Sequence, residues 1–157
     1  MTSDNGSNDW RLVPLDDLCE RKIGIRDPRA HPNEPFVYVD ISSVDNRRKQ
    51  IVNPQRVPGQ NASSRARQII AERDVLVATT RPNLNAVALV PRELQGQIAS
   101  TGFCVLRARK DLDPEYLFGF VQSPDFVRKL SELVKGALYP AVTEMHVRAQ
   151  KIPLHGL

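Results

Sequence analysis

The chain predicts an α+β fold: a mixed or antiparallel sheet, or a partial barrel, followed by C-terminal helices. Three observations carry this. Apolar, β-rich segments fill the first two thirds. Two proline-capped helix starts, Asp113-Pro114 and Ser123-Pro124, lie in the last third. Strands first and helices after is an order that segregates the two kinds of element rather than alternating them. At 157 residues the chain suits one domain with a core that needs no disulfide or metal.

Taken in order, the polar start through Asp9 reads as a disordered tail, and residues 10–157 as a single folded domain. That tail has neither the basic end nor the apolar stretch of a signal peptide. No apolar run is long enough to span a membrane, so a cytoplasmic protein is expected. Pro14 starts a short helix whose first turn is acidic through Asp16 and Asp17. A Pro-rich loop runs from Gly24 to Pro35. Phe36–Ile41 alternates and is β-rich, which predicts a strand.

Ser42–Ala62 has no sustained periodicity and reads as one long loop. Ser63-Ser64 offers an N-cap for a short helix over Arg65–Ala71. Asp74–Thr79, Ala86–Val90 and Gly102–Arg107 are apolar strands of one sheet or partial barrel, the first a central one. Tyr116, Leu117, Phe120 and Val121 make one helix face, and Phe126, Leu130, Leu133 and Val134 the next, which Gly136 ends. Thr143 caps one more short helix before Lys151–Leu154.

Enzymatic chemistry finds little support. His31, His146 and His155 are scattered, without metal spacing. Cys19 and Cys104 have no CxxC partner and read as thiols in a reducing compartment. There is no glycine-rich phosphate loop and no Asn/Asp-Pro-Pro-aromatic motif of the amino-methyltransferase type. Asp16, Asp17 and Glu20 share one short helix, which gives no scaffold for a metal pair.

Charge distribution is more telling than net charge, which is +4. Between Asn46 and Ala71 there are six cations and no acid, so all the excess positive charge sits in that segment. Seven Asn and Gln side chains accompany it. Arg and Lys neutralise phosphates and fork onto guanine; Asn and Gln pair with an adenine edge. Arg47, Arg48, Lys49, Arg65 and Arg67 are therefore candidate DNA contacts. The alternative is a merely solvated loop. Thr79–Asn85 joins two buried strands, so Arg81, Asn83 and Asn85 are positioned candidates or simply turn residues. Lys135 and Tyr139 flank a Gly/Pro-restricted turn and are weaker candidates; a helix terminus with Tyr139 packed on the core is the favoured reading of that turn.

Several motifs together resemble a target-recognition domain of a type I restriction-modification DNA specificity subunit. They are Trp10-x-Leu-Val-Pro-Leu15, Ser63-Ser-Arg-Ala-Arg67, Asp74-Val-Leu-Val-Ala-Thr-Thr-Arg81-Pro-Asn-Leu-Asn85, Ala99-Ser-Thr-Gly-Phe-Cys-Val-Leu106, Leu112-Asp-Pro-x-Tyr-Leu117, the Gly136 turn and Lys151-Ile-Pro-Leu154. The resemblance covers Trp10 to Leu154, and residues 63–107 are its most specific part.

It implies a non-catalytic domain that recognises one half of a bipartite DNA site through loops in the major groove. Its partners would be double-stranded DNA and the methyltransferase and restriction subunits of a type I complex. The chain itself would need no cofactor, S-adenosylmethionine being held by the partner methyltransferase. The family's spacer helices set half-site spacing and dock the methyltransferase. They have no counterpart before Leu157, which leaves a homodimer open. The alternative reading is a protein-interaction module, or a remnant, that keeps the fold without productive DNA binding.

Overall fold

A computed structural model describes residues 9–156. The elements are β1 (Trp10–Pro14), β2 (Pro35–Val39), β3 (Val44–Asp45), β4 (Gln50–Ile51), β5 (Gln55–Pro58), β6 (Ala66–Ile69), β7 (Val75–Ala78), β8 (Val87–Leu89), β9 (Ile98–Ser100), β10 (Phe103–Leu106), α1 (Pro114–Phe120), α2 (Pro124–Leu133), α3 (Glu144–Arg148) and β11 (Lys151–His155). Short 3-10 turns link many of them. None of the described helices is long and apolar enough to cross a membrane.

The centre of the molecule is a three-stranded antiparallel sheet in the order β10-β7-β8. Its strands are apolar at successive positions because both faces are covered. Val75 and Val77 of β7, with Cys104 and Leu106 of β10, face a core completed by Leu117, Phe126, Leu130 and Val147 of the helices. Leu76 and Ala78, with Phe103 and Val105, face the opposite core beside Val39 and Ala99. That second core is closed by a four-stranded sheet ordered β5-β2-β9-β6, in which β2 and β9 run parallel. The layers are thus helices, central sheet and outer sheet, and neither sheet closes into a barrel. Each fully buried Val, Leu or Phe side chain contributes about 1.5–3 kcal/mol relative to exposure.

The helices start where the sequence places them. Asp113 and Ser123 accept backbone N–H bonds from Tyr116 and Phe126, with proline at the first helical position. Thr143 and His146 form a reciprocal capping box on α3. Tyr116 and Leu133, expected on apolar faces, are 38% and 54% exposed. The Tyr116 hydroxyl instead donates to the Pro153 carbonyl. Leu133 falls in the last turn of α2, past the edge of the core.

The short acidic helix expected after Pro14 is the 3-10 turn Leu15–Asp17, and Trp10–Pro14 before it is a strand paired antiparallel with β11. Three sequence expectations need correction. Residues 1–8 of the expected tail lie outside the described residues, but Asp9 is part of the fold, its carbonyl accepting the Gly156 N–H. The segment 42–62 is not one loop, since it contains β3, β4 and β5. These strands are so short that no periodicity can register. Finally, Arg65–Ala71 is not a helix. Ala66–Ile69 forms edge strand β6 against β9, with a bulge around Arg67. Sheet pairing overrides the local capping signal there, because β-branched Ile69 and Ile70 suit a half-buried pleated surface.

Three buried ionic or polar groups knit the layers. Asp74, 1% exposed, accepts two bonds from the Arg107 guanidinium at 2.8 and 2.9 Å and one from the Ala71 N–H. Arg148 is 6% exposed; it donates to Asp16 at 2.6 Å and to the Glu20 carbonyl at 2.9 Å. This hydrogen bond holds the Asp16 carboxyl below the usual carboxylate range. Ser100 accepts the Gly102 N–H and so shapes the turn between β9 and β10.

Candidate nucleic-acid interface

The strand registers gather several loops at one end of the two sheets. β2 and β9 run parallel, and β6 runs against them, so the C-terminal ends of β2 and β9 meet the start of β6. The β9–β10 turn then carries the chain across to the central sheet, where Phe103 pairs with Ala78 at the end of β7. Val77 pairs with Val87 at the start of β8. The segments 40–54, 63–65, 79–86 and 100–102 therefore share this end. A fifth, the loop after α2, joins them: the Val142 N–H donates to the Thr79 carbonyl and the Arg81 N–H to the Pro140 carbonyl.

Arg47 and Arg48 occupy the tip of the β3–β4 hairpin and are exposed. Asp45 shapes the tip by accepting both of their backbone N–H groups, at 2.9 and 3.1 Å. These bonds, that to Arg48 first, lower the Asp45 pKa. The hairpin leans on the loop after β7. Asn46 donates to the Leu84 carbonyl at 3.0 Å and the Lys49 ammonium to the Asn85 carbonyl at 2.8 Å. Partial burial lowers the Lys49 pKa, and its backbone is left-handed at φ 56°. Lys49 is thus a strut of the site more than an open phosphate contact.

In the loop after β7, Pro82–Leu84 forms one 3-10 turn flanked by left-handed Arg81 (φ 47°) and Asn85 (φ 50°). Short polar side chains tolerate that region better than most. Asn85 is a brace: its amide donates to the Val121 carbonyl at the end of α1. Arg81 and Asn83 are exposed, and the Arg81 side chain forms no ion pair with any described residue.

Asn83 and Lys135, distant in sequence, line one shallow groove of about 410 Å³. Tyr139 is 84% exposed, which overturns the favoured expectation that it packs on the core. Its neighbour Leu138, 90% exposed, was not singled out by sequence. The available signal was the apolar run Ala137-Leu138-Tyr139 placed between Gly136 and Pro140, which mark a turn.

The remaining pair divides. Arg65 is exposed at the start of β6, and its carbonyl accepts the Thr101 N–H, which places it at the shared end. Arg67 lies further along β6, half-buried, 3.3 Å from Asp27. That ion pair neutralises it away from the shared end. The structure therefore brings together Arg47, Arg48, Lys49, Arg65, Arg81, Asn83, Asn85, Lys135 and Tyr139, and leaves Arg67 aside. Nothing in the sequence shows which cation finds a carboxylate in three dimensions.

A search of family models finds no match. The structure superposes on the HsdS subunit from Thermoanaerobacter tengcongensis with a TM-score of 0.87 and 46% identity, over 95% of this chain and 38% of that one. The chain is similar to part of a type I specificity subunit. A second solved structure, described as concerning complex assembly and conformational transition of the type I restriction-modification system, gives a TM-score of 0.88 and 46% identity over 93% of this chain and 38% of its own. Among curated proteins, the type I restriction enzyme HindI specificity subunit of Haemophilus influenzae is 27% identical over 144 residues, 87% of this chain and 29% of that subunit. The chain thus spans about three to four tenths of the specificity subunits it matches.

Proposed function

We propose that this chain recognises a short DNA sequence as a type I target-recognition domain, reading one half of a bipartite site. The observation that carries the reading is the clustering of sequence-distant cations and amides at one end of the sheets. Arg47 and Arg48, Arg65, Arg81 with Asn83, and Lys135 come from four separate segments joined there by backbone and side-chain hydrogen bonds. Exposed guanidinium and ammonium groups suit phosphates; Asn83 and the arginines suit base edges. A braced loop positions such groups better than a loose one.

The chain supplies recognition and no chemistry in this reading. Methylation and cleavage belong to partner subunits of a type I complex, and S-adenosylmethionine to the methyltransferase. The chain works in the cytoplasm, where that complex meets DNA.

A second reading, a protein-interaction module, is favoured by one observation. Trp10 and Leu12, on the β1–β11 ribbon, are 54% and 66% exposed. That ribbon suits contact with another chain, including a second copy.

Selection of bound duplexes from a randomised DNA pool, at low and at physiological salt, tests the proposal. Enrichment of one short asymmetric motif is expected. Retention without enrichment, lost at moderate salt, would leave only a basic surface and favour the interaction module.

A further inference from the structure

The two most exposed large apolar side chains of the described residues, Leu138 and Tyr139, are consecutive. They stand at the tip of a loop fixed at both ends. On one side Gly136 takes φ 79° and the Ala137 N–H donates to the Val134 carbonyl. On the other the Pro140 carbonyl accepts the Arg81 N–H at 2.6 Å, and Ala141 bridges to Thr80. Two apolar groups held rigidly in water are unfavourable, and the fold offers them no core. Cations lie on either side: Lys135 precedes them, and exposed Arg81 is bonded to the loop that bears them, while the adjoining groove mixes Arg128 and Lys135 with Glu132 and apolar residues.

A polyanion with apolar features inside its grooves matches that arrangement. The thymine C5-methyl is the apolar feature of the major groove, and side-chain carbon packing against it discriminates sequence. An acidic protein surface would complement the cations and leave the tip in water.

Resting on the DNA-recognition reading above, we infer that Leu138 and Tyr139 form an apolar specificity tip that packs against thymine methyl groups at the floor of the groove. The flanking cations hold the backbone on either side. The tip sets sequence preference and adds little to general affinity.

The test uses the duplex that the wild-type chain selects, and a scrambled duplex. Each thymine of the selected duplex is replaced in turn by deoxyuridine, which removes only the methyl. Wild type is expected to weaken several-fold at one or two positions. L138A/Y139A should bind the selected duplex about tenfold or more weakly. It should bind the scrambled duplex at low salt within about twofold of wild type, and ignore uracil at the sensitive positions. A melting temperature equal to wild type verifies that the exposed substitutions leave the fold intact.

Full selectivity in L138A/Y139A, as expected if the tip serves a protein partner, overturns the inference. So does equal weakening on both duplexes, or a wild-type chain with no uracil-sensitive position. A wild-type chain without any sequence selectivity overturns the DNA reading and the inference with it. That failure is visible before any variant is made.

Discussion

The Lys49 ammonium donates to the Asn85 carbonyl at 2.8 Å, tying the β3–β4 hairpin to the loop after β7. Asn85 returns the support through its amide, which bonds the Val121 carbonyl. One residue thus joins a basic hairpin, a polar loop and the first helix, from a backbone at φ 50°.

Asn85→Gly keeps that conformation and loses one side-chain bond, and should cost about 1 kcal/mol. Asn85→Ala loses the same bond and adds the steric penalty of a Cβ in the left-handed region, so it should cost about 1–2 kcal/mol more. Urea unfolding of both variants gives the order. Equal stability of the two would mean the loop relaxes out of that conformation.

Arg107 and Arg128 separate buried from exposed ion pairs. Arg107 satisfies the buried Asp74 carboxylate with two hydrogen bonds, so Arg107→Ala leaves that charge unpaired and should cost about 3–5 kcal/mol. Arg128 pairs with Asp125 and Glu132 on the exposed face of α2. Arg128→Ala should cost no more than about 1 kcal/mol. Chemical denaturation should show a large loss in the first and little change in the second.

The Asp16–Arg148 pair predicts a pH dependence. Its hydrogen bond to Arg148 holds the folded-state pKa of Asp16 below the unfolded value. A depressed carboxyl pKa gives stability that is present above the unfolded value, about 3.9, and lost as pH falls through the folded value. Asp16→Asn should therefore flatten the decline in stability below about pH 4. Thermal melts of both proteins between neutral and acid pH measure it, and an unchanged acid slope in Asp16→Asn would contradict the assignment.

These cases also separate what the sequence conveys from what it conceals. The strands 75–78, 87–89 and 103–106 are legible because both their faces are buried, which leaves uninterrupted apolar runs. The helices α1 to α3 are legible because capping is local: Asp113, Ser123 and Thr143 each bond within three residues. β6 and β1 are not, because edge strands are defined by partners, here β9 and β11, from distant parts of the chain. The candidate site divides in the same way. Residue type points to Arg47, Arg48, Arg81 and Lys135, whereas the pairing of Arg67 with Asp27 and the inward turn of Lys49 depend on tertiary contacts. Leu138 was missed because apolar residues are expected inside, and only the structure shows it outside.

The central claim is that DNA lies across the end of the sheets bearing Arg47, Arg48 and Arg81. Salt-dependent binding of the selected duplex by two triple variants tests it most directly. One is R47A/R48A/R81A. The other, R26A/R73A/R92A, removes equal charge from loops away from that end, next to the starts of β2, β7 and β9. The account predicts that the first lowers the salt slope by about three, and the second leaves it nearly unchanged. Equal effects of the two triples, or an undiminished slope in R47A/R48A/R81A, would contradict it.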